Sequence, residues 1–495
     1  MRHKAEGATL RLDELTELTL RQLFRHNSDV VIHRFYSESG PQTTNPIVIY
    51  CTGMIDDKQL NDFLYGQLRQ LFAQIAGAVS GEAPINEQHL THIEGQNAID
   101  RLVTAVFSGN LVIFFDRSRT VIQIGMSKPP GRMPDESSTE ISIKGPRDGF
   151  TEQLQTNIAL IRKRLKTTSL AIEHYEIGRR TKTSLALLYM TDITNNEIVK
   201  EARHRIQSID VDGLVSSQEL ETALSDHTYS LFPLINYIGR PDFAVECLLR
   251  GRFVITIDGN PMVLIAPANI TSLIKSPEDD HSPFAYVSLE RLLRITGLVI
   301  ALLLPGFWVA VTAFNLDQIP FPLLATITMS RLGLPISGPV DIFLMLGMFE
   351  LFREAGMRLP KAVGQTVAVV GGLIVGDAAI SAGLTSPTTL VVTAVTSVST
   401  FTLVNQSLSG TVSIIRFFVL TLSSLFGMLG FFVAMYLIVV YMSSLTSFGV
   451  SFLAPLSPIS FKDYAKGIIA LPWTRYNRRP GPLRTKEDVR QGDDS

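Results

Sequence analysis

Charged residues are distributed very unevenly along the chain. Between Asp377 and Lys462 the sequence contains one charged residue, Arg416, although charged residues make up 18% of the 495-residue protein. A water-soluble domain needs polar cover over its surface, so a run this long with a single charge is typical of helices in a lipid bilayer. Before about Glu290, charged positions alternate with apolar ones. The pattern predicts a soluble N-terminal region followed by an all-α polytopic transmembrane domain.

The soluble region contains two segments that resemble each other. Ser108–Asp116 (SGNLVIFFD) corresponds to Arg250–Asp258 (RGRFVITID), and each follows an apolar, helix-like stretch. The alternative is a chance similarity between two short α/β segments. We interpret the match as a tandem repeat, which makes the fold class of this region α+β, with two related α/β subdomains.

A second pair of segments supports the repeat. IVIYCTGMIDDKQL begins at Ile47, and ALLYMTDITNNEIV begins at Ala186. Each is typical of a buried strand that leads into a helix, with Asp56 and Thr194 as the N-cap candidates. The predicted domains are an N-terminal helical lead (1–27), subdomain I (28–149), subdomain II (150–276), a linker (277–294), the transmembrane domain (295–460) and a basic, polar cytoplasmic tail (461–495).

Prolines and charges divide the apolar half into segments. The expected elements are a first span at 295–314, a re-entrant or interfacial segment at 321–332, a span at 338–352, and helices at 362–382, 387–405 and 411–442. The last of these is too long for one perpendicular span, so it bends at Gly427 or Gly430 or projects beyond the bilayer. The count is four, five or six crossings, and a cytoplasmic C-terminus requires an even number.

Composition narrows the functional classes. A formal net charge of -2 argues against nucleic-acid binding, which needs a basic excess. The two cysteines, Cys51 and Cys247, have no metal-binding or redox spacing, and we find no phosphate loop, nucleophile elbow or dinucleotide fingerprint. We therefore expect no enzyme activity, no cofactor and no metal site.

The distribution of basic residues predicts the orientation in the membrane. Arg291 and Arg294 precede the first span. The basic residues after the last span are Arg475, Arg478, Arg479, Arg484 and Lys486. The N-terminus lacks the apolar core of a secretory signal. By the positive-inside rule, both the N-terminal domain and the C-terminus lie in the cytoplasm.

One motif at the membrane boundary is a candidate for coupling the two halves. Its residues are Glu350, Arg353, Glu354, Arg358 and Pro360. The two glutamates are four residues apart on one helical face, close enough to pair with the two arginines. The alternative is that the arginines only anchor the helix at the interface and set its topology.

Several motifs resemble the A subunits of GerA-family spore germinant receptors. Gly145–Glu152 (GPRDGFTE), continued by Asn157–Leu165, is similar to the central signature of that family, and its positions here are Gly145, Pro146, Arg147, Phe150, Glu152, Asn157, Arg162 and Arg164. The membrane motifs that also match are Leu303–Gly306 (LLPG), Phe349–Pro360 (FELFREAGMRLP) with Gly364 and Gln365, and Ser447–Gly449 (SFG). Asp279–Tyr286 departs from the acidic-Asp-Tyr-Tyr pattern of the family, so no family role is carried over to it.

The resemblance implies a component of a nutrient receptor in the inner membrane of bacterial endospores. The partners implied are a transporter-like B subunit that binds the germinant, a C subunit lipoprotein, membrane lipid and further copies of this chain, in a ring of five. The ring would form a germinant-gated cation channel that triggers germination. The alternatives are a non-conducting scaffold for a germination complex and a secondary transporter with a regulatory domain. The transporter is disfavoured because the membrane half has no recognisable internal repeat.

If the chain forms a channel, the helix at 362–382 is the candidate for its lining. Small residues recur at every fourth position (Gly364, Ala368, Gly372 and Gly376), which would let two helices pack closely. The adjacent face carries the pore-lining candidates Thr366, Val370, Leu373 and Asp377. Val370 and Leu373 would close the pore by dewetting, and Asp377 would concentrate cations. The alternatives are that the glycines face the lumen and that Asp377 is wet at the outer interface.

Overall fold

The computed structural model describes most of the chain, and the fold is reported for those residues. They are 15–35, 46–64, 90–93, 97–116, 119–130, 144–358, 375–457 and 459–490. Within them, a region of mixed helix and sheet is followed by a region built mainly of apolar helices. The mixed composition of the N-terminal region agrees with the predicted fold class.

Subdomain I is built around a five-stranded antiparallel sheet. Its elements are α1 (Glu17–Leu23), β1 (Val30–Arg34), β2 (Ile47–Cys51), α2 (Asp57–Asp62), β3 (Leu90–His92), α3 (Ala98–Phe107), β4 (Leu111–Phe115) and β5 (Thr120–Ile124). The strand order is β1-β2-β4-β5-β3. The side chains of β4 alternate between two cores: Val112 and Phe114 pack with α1 and α3, and Leu111 and Ile113 pack on the opposite face with α2.

Subdomain II repeats this arrangement. Its elements are α4 (Leu154–Arg162), β6 (Leu170–Ile177), β7 (Thr183–Met190), α5 (Asn196–Ser208), α6 (Ser217–Leu224), β8 (Asn236–Ile238), α7 (Pro241–Leu249), β9 (Phe253–Ile257), β10 (Val263–Ala266) and α8 (Ile270–Ile274). The strand order β6-β7-β9-β10-β8 matches that of subdomain I position by position. The two segments with similar sequences contain β4 and β9, which occupy the same place in their sheets.

The helices that follow β2 and β7 begin with different cap geometries. Asp56 accepts hydrogen bonds from the backbone N–H groups of Lys58 (3.1 Å) and Gln59 (3.4 Å), as predicted for an N-cap. Thr194 was the wrong residue for the second cap. Asn195 caps α5 by accepting from the Glu197 N–H (2.9 Å), and Thr194 is buried one residue earlier.

The apolar part of the chain, residues 284–444, contains five α-helices with complete described bounds. They are α9 (Phe284–Val309), α10 (Phe321–Arg331), α11 (Gly338–Arg358), α12 (Pro387–Phe401) and α13 (Gln406–Ser444). Residues 375–381 are also helical, and 359–374 lie outside the described residues. Two described helical segments are long and apolar enough to cross a membrane, Phe284–Phe314, which includes α9, and α13. Only 22% of the most apolar stretch of α13 is buried, so the described residues leave most of it exposed.

Small residues allow α9 to pack closely against its neighbours. A side-chain carbon added at Gly297 would collide with the hydroxyl of Thr402, and one at Gly306 would lie 2.7 Å from Val419 and 2.9 Å from Ser423. The facing side of α12 carries a buried stripe of hydroxyl residues, Thr389, Thr393, Thr396 and Thr400. The hydroxyl groups of Thr393, Thr396 and Thr400 donate to backbone carbonyl groups of the preceding turn, so these donors need no partner on another helix.

The helix α13 reverses direction at Gly427. This residue has φ 62° and ψ -137°, which interrupts the helix. Thr411 precedes Gly427 in the helix and Tyr441 follows it, yet both bind the same residue, Leu231. Tyr441 accepts a hydrogen bond from the Leu231 N–H (2.9 Å), and Thr411 donates one to the Leu231 carbonyl. A straight helix would separate residues 411 and 441 by about 45 Å. The segment is therefore a hairpin of two antiparallel arms, and of the predicted alternatives the bend at Gly427 is the one observed.

The C-terminal segment returns to subdomain II. It contains a two-stranded hairpin of β11 (Thr446–Ser447) and β12 (Val450–Ser451), followed by α14 (Phe461–Ile468). Val450 and Leu483 are buried in the same core as α5 and α6. The backbone N–H of Lys486 donates to the carbonyl of Ile193 (2.9 Å). Much of the segment predicted as a polar tail is therefore packed on the soluble region.

Candidate functional site

The carboxylate of Asp226 makes several of the contacts that attach the β11–β12 hairpin to subdomain II. Asp226 accepts hydrogen bonds from Arg205 Nη1 (2.5 Å) on α5, and from Thr446 Oγ1 (2.7 Å), Phe448 N (3.0 Å) and Gly449 N (3.4 Å) on the hairpin. Phe448 and Gly449 both have positive φ, as a two-residue hairpin turn requires. Asp226 thus holds the end of the last apolar helix against the α/β region.

Electrostatics and packing reinforce this attachment. Burial alone would raise the pKa of Asp226, but hydrogen bonds from Thr446 and Arg205 hold it below its ordinary value. The guanidinium of Arg205 lies 4.7 Å from the centre of the Phe448 ring, which also makes an edge-to-face contact with Phe253 of β9. Loss of the carboxylate would leave several donors without an acceptor, which is costly in a buried site.

A second ionic group fixes the start of α9. The carboxylate of Asp279 accepts from Arg291 Nε (2.7 Å) and from Arg294 Nη2 (2.7 Å), and all three side chains are buried. Arg294 also donates to the carbonyl of Ile274 in α8 (3.0 Å). These two arginines, whose position indicated topology in the sequence, therefore hold the linker and the first apolar helix together.

A third ionic group lies among the apolar helices. Arg416 of α13 is 1% exposed and forms an ion pair with Glu350 of α11. Glu350 also pairs with Arg353 (2.6 Å) and accepts from the Ser413 hydroxyl (2.9 Å). Arg416 Nη1 donates to the hydroxyl of Thr400 on α12 (3.2 Å). This network connects α11, α12 and the first arm of α13, about 7.5 Å from the Thr411 contact with the soluble region.

The remaining residues of the predicted coupling motif lie away from this network. Glu354 pairs with Arg358 (2.7 Å), and their side chains are 53% and 80% exposed. An ion pair with this exposure contributes little to stability. Pro360 lies outside the described residues. Within the motif, Glu350 and Arg353 are the residues that contact the buried arginine's network.

One signature residue of the soluble region, Arg162, lies at the junction between the two subdomains. Arg162 of α4 makes two hydrogen bonds of 2.8 Å to Asp29 of subdomain I, and both side chains are almost completely buried. The Arg162 guanidinium also lies 4.2 Å from the centre of the Phe107 ring. A buried bidentate pair of this kind holds the two subdomains in one orientation.

Other signature residues shape the segment that precedes α4. Asn157 binds both the N–H (2.7 Å) and the carbonyl (2.6 Å) of Thr151, and Arg164 donates from one nitrogen, Nη2, to both carboxylate oxygens of Asp148. Phe150 is buried in the core of subdomain II. Four signature positions remain. Gly145 lies against Arg240, and the carbonyl of Glu152 accepts from the Gly259 N–H. Pro146 and Arg147 are exposed.

Most of the predicted pore-lining helix falls outside the described residues. This applies to Gly364, Thr366, Ala368, Val370, Gly372 and Leu373. Two of the predicted residues are described. Gly376 is buried, and a side-chain carbon added there would lie about 3.2 Å from Leu390 of α12. Asp377 is exposed. The small-residue face thus meets α12 at Gly376, and Asp377 lies on a different face.

The sequence patterns did not indicate that three acidic residues, Asp226, Asp279 and Asp341, would matter to the structure. Asp226 lies in the loop after α6, with partners up to about 220 positions away in the chain, and Asp279 is the middle residue of an acidic run before α9 in which the sequence does not single it out. Asp341 of α11 is 1% exposed, and neither of its oxygens has a hydrogen-bond partner among the described residues. Two features of the sequence could have pointed to them. The SFG motif forms the hairpin that Asp226 contacts, and Asp341 is a charged residue inside an apolar helix.

Groups that could bind a metal or act as nucleophiles are not assembled in the described part of the chain. No cluster of three or more His, Cys, Asp or Glu residues suited to a metal is present among these residues. Both cysteines are buried, and burial raises the pKa of Cys247 to about 11.

Comparisons with known proteins identify a family. Residues 18–481 match the family model described as Bacillus/Clostridium GerA spore germination protein. The chain is 41% identical over 479 residues to spore germination protein XA of Bacillus anthracis, with 97% of each chain covered. It is 33% identical over 469 residues to spore germination protein KA of Bacillus subtilis, with 94% of this chain and 86% of the relative covered.

A solved structure also matches the N-terminal region. It is the N-terminal domain of the A subunit of the Bacillus megaterium spore germinant receptor GerK3. The identity is 28%, the TM-score is 0.37, and the match covers 51% of this chain and 93% of that chain.

Proposed function

The chain belongs to the GerA family of spore germination proteins, and on that premise we propose that it is the A-type component of a nutrient germinant receptor in the spore inner membrane. In this role it forms a germinant-gated cation channel that triggers germination. The observation that carries the proposal is the attachment of the last apolar helix to the α/β region through Asp226. A receptor of this type needs a rigid connection between the part that responds to a signal and the part that opens.

The contacts supply a route for such a signal. A displacement of α5 relative to the sheet moves Arg205 and, through Asp226, the β11–β12 hairpin and the second arm of α13. The first arm of α13 is tied to α11 through Arg416 and Glu350. The next segment of chain after α11 is the candidate pore helix at 362–382. A movement that begins in the soluble region therefore reaches that helix through two ionic contacts.

The apolar helices favour six membrane crossings. These are α9, α11, the predicted helix at 362–382, α12 and the two arms of α13. Six is an even number, so the N-terminal domain and the C-terminus are on the same side of the membrane, and by the positive-inside rule we propose that this is the cytoplasmic (core) side. Asp341 supports a polar role for the membrane half, because an ionisable side chain without a partner is costly in an apolar setting unless ions or water reach it.

The proposed assembly is a ring of five copies, in a complex with a B subunit that binds the germinant and a C subunit lipoprotein. Support comes from large apolar side chains of α13 that the described residues leave exposed. Leu425, Leu429 and Phe432 are 65%, 70% and 53% exposed. Exposed side chains of this size require lipid or a neighbouring protein chain.

The substitution Asp226→Asn tests the proposal. It preserves the size of the side chain but removes the charge that pairs with Arg205. We expect the protein to be present at the normal level in spores and potassium release in response to a nutrient panel to fall severalfold. The control is Asp210→Asn, because Asp210 pairs with Arg179 on the exposed surface. Normal release from Asp226→Asn spores would contradict the proposed route.

A second experiment separates a channel from a non-conducting scaffold. The purified chain is measured for mass in detergent and then for single-channel conductance in a planar bilayer. A ring-sized particle that conducts monovalent cations supports the channel. A ring that never conducts, even with Val370→Ala to widen the proposed constriction, favours the scaffold. A monomeric particle in every detergent would contradict both.

A further inference from the structure

A strongly basic cavity lies between subdomain II and the C-terminal segment. Its volume is about 90 Å³. Part of its wall comes from α7, α8 and the start of β9, and the rest from residues 455–490. The charged residues that line it are Arg250, Arg252, Lys275, Arg478, Arg479, Arg490 and Asp463. Six cationic side chains thus surround a small space that contains one carboxylate.

Three of these cations already have carboxylate partners. Arg250 Nε lies 2.9 Å from Glu246 Oε1, and Arg490 Nη2 lies 2.8 Å from the other oxygen of the same carboxylate. Arg479 pairs with Glu487 at 3.4 Å. These three arginines line the cavity, and the carboxylates of Glu246 and Glu487 largely balance their charges.

The other three cations have no carboxylate within ion-pair distance among the described residues. Arg252 is buried and donates only to neutral oxygens, the carbonyl of Pro267 and the Asn269 side chain (3.0 Å). The ammonium of Lys275 makes no hydrogen bond or ion pair with another described residue. The guanidinium of the exposed Arg478 also lacks such a partner. The excess positive charge of the cavity therefore comes from Arg252, Lys275 and Arg478.

The surroundings of Lys275 disfavour its charged form. Burial, and the neighbouring guanidinium groups of Arg250 and Arg291, hold the pKa of Lys275 well below its ordinary value, and Asp280 opposes them only in part. A nearby anion would reverse this effect and would also pair with Arg252. Uncompensated cations in a partly buried space are costly unless a counter-ion is present.

We propose that this cavity binds a phosphate group, supplied by free inorganic phosphate or by the headgroup of an anionic lipid. Guanidinium and ammonium groups around one point match the several acceptor oxygens of phosphate. A single water needs roughly 10–15 Å³ of such space, so the cavity has room for a small tetrahedral anion. The bound phosphate would link Lys275, just before the first apolar helix, to Arg478 in the C-terminal segment.

The test uses the full-length chain and separates the two sources. In lipid-free detergent, thermal unfolding is measured against inorganic phosphate and against chloride at equal ionic strength. In nanodiscs, unfolding is compared between phosphatidylcholine alone and a mixture with phosphatidylglycerol. The variants are Lys275→Met and Arg478→Gln. The control is Lys200→Met, which removes an exposed lysine on α5.

We expect phosphate to raise the unfolding temperature of the wild type more than chloride does. Lys275→Met should need at least about tenfold more phosphate for the same shift, since a hydrogen bond to a charged group contributes a factor of this order. If only phosphatidylglycerol stabilises the wild type, and Lys275→Met abolishes the effect, the lipid headgroup is the source.

Three results would overturn the proposal. The first is that neither phosphate nor phosphatidylglycerol stabilises the wild type beyond its matched control. The second is that Lys275→Met and Arg478→Gln both respond like the wild type. The third is that Lys200→Met loses the response to the same extent, because the effect would then reflect overall charge. Circular dichroism of each variant without phosphate shows that it has folded before it is titrated.

Discussion

Arg416 and Glu350 form an ion pair across 66 positions of sequence and join two helices of the apolar half. Arg416 is the one charged residue between Asp377 and Lys462, and it is almost completely buried. Its charge is compensated by Glu350, because its other partners, Thr400 and Ser413, are neutral hydroxyls. The pair therefore determines how α11 and α13 are held together.

The first prediction concerns the loss of one member of this pair. Glu350→Leu leaves Arg416 buried without a counter-charge, and removing one partner of a buried pair costs about 3–5 kcal/mol. We expect a clear fall in the unfolding temperature of the detergent-solubilised protein. The double variant Glu350→Leu/Arg416→Leu should recover most of the loss.

The matched control is Glu354→Leu, one helical turn further on. Its pair with Arg358 is exposed, so its removal should cost less than about 1 kcal/mol. Equal destabilisation by Glu350→Leu and Glu354→Leu would mean that the buried pair has no special role.

Local patterns in the sequence were sufficient for much of the fold. The apolar runs in the two similar segments indicated the strands β4 and β9, and the match between these segments reflects the shared order of the two sheets. Prolines and charges located the apolar helices but not all of their ends, since α9 begins at Phe284 rather than at 295 and α11 ends at Arg358 rather than at 352. These features depend on neighbouring residues, which a sequence displays directly.

Contacts between distant residues could not be predicted in the same way. The spacing of Glu350, Arg353, Glu354 and Arg358 is consistent with several pairings on one helix, and the partner that distinguishes Glu350 is on another helix. Asp226 has nothing around it in sequence that indicates a junction, because its partners are on α5 and the β11–β12 hairpin. The prediction of Thr194 as the N-cap of α5 was wrong by one residue, because the side-chain oxygen of Asn195 is better placed to accept from the helix.

The second prediction concerns the reversal at Gly427. Its positive φ is unfavourable for any other residue, and a side-chain carbon there would lie 2.7 Å from the Phe314 ring. Gly427→Ala should therefore destabilise the protein by at least about 1–3 kcal/mol. Gly410→Ala is the control, because Gly410 is helical with open space around it and alanine there should stabilise the helix by up to about 1 kcal/mol. Similar unfolding temperatures for the two variants would argue against the hairpin.

The third prediction concerns acid stability. Glu173 on β6 accepts hydrogen bonds from Arg203 (2.7 Å), Tyr175 (2.6 Å) and Tyr189 (2.8 Å). Burial opposes its ionisation, but these donors lower the pKa of Glu173 to about 2 from an ordinary value near 4.5. Because the folded pKa is depressed, the stabilisation is complete above about pH 5 and is lost as the pH falls towards 2.

We therefore expect the difference in unfolding temperature between the wild type and Glu173→Gln to shrink as the pH is lowered from 7 to 3. The measurement is circular dichroism on both proteins in the same detergent, so that other carboxyl groups cancel in the difference. The surface variant Glu197→Gln should show no such trend. A difference that stays constant over this range would mean that the Glu173 carboxylate is not stabilised by its neighbours.

The fourth prediction identifies the pore-lining face of the helix at 362–382. Single cysteines along 364–380 are introduced into the full-length chain and treated with a water-soluble thiol reagent before and after germinant is added. The native Cys51 and Cys247 are buried, and their thiols have raised pKa values, so they should react slowly. Labelling at 366, 370, 373 and 377 is expected, since these positions follow one face at the helical period. Labelling confined to 364, 368, 372 and 376 would mean that the small residues face the lumen.

Ion flux through the same variants completes this test. Val370→Ala removes apolar volume from the proposed constriction, so potassium should leak without germinant. Asp377→Asn should lower cation flux after opening, because the carboxylate raises the local cation concentration at the mouth of the pore. Gly376 packs against Leu390, so a change there should affect protein level before it affects flux. If no position on this helix reacts with the reagent, the pore must be lined by another helix. The next to scan is α11, where Asp341 has no hydrogen-bond partner among the described residues.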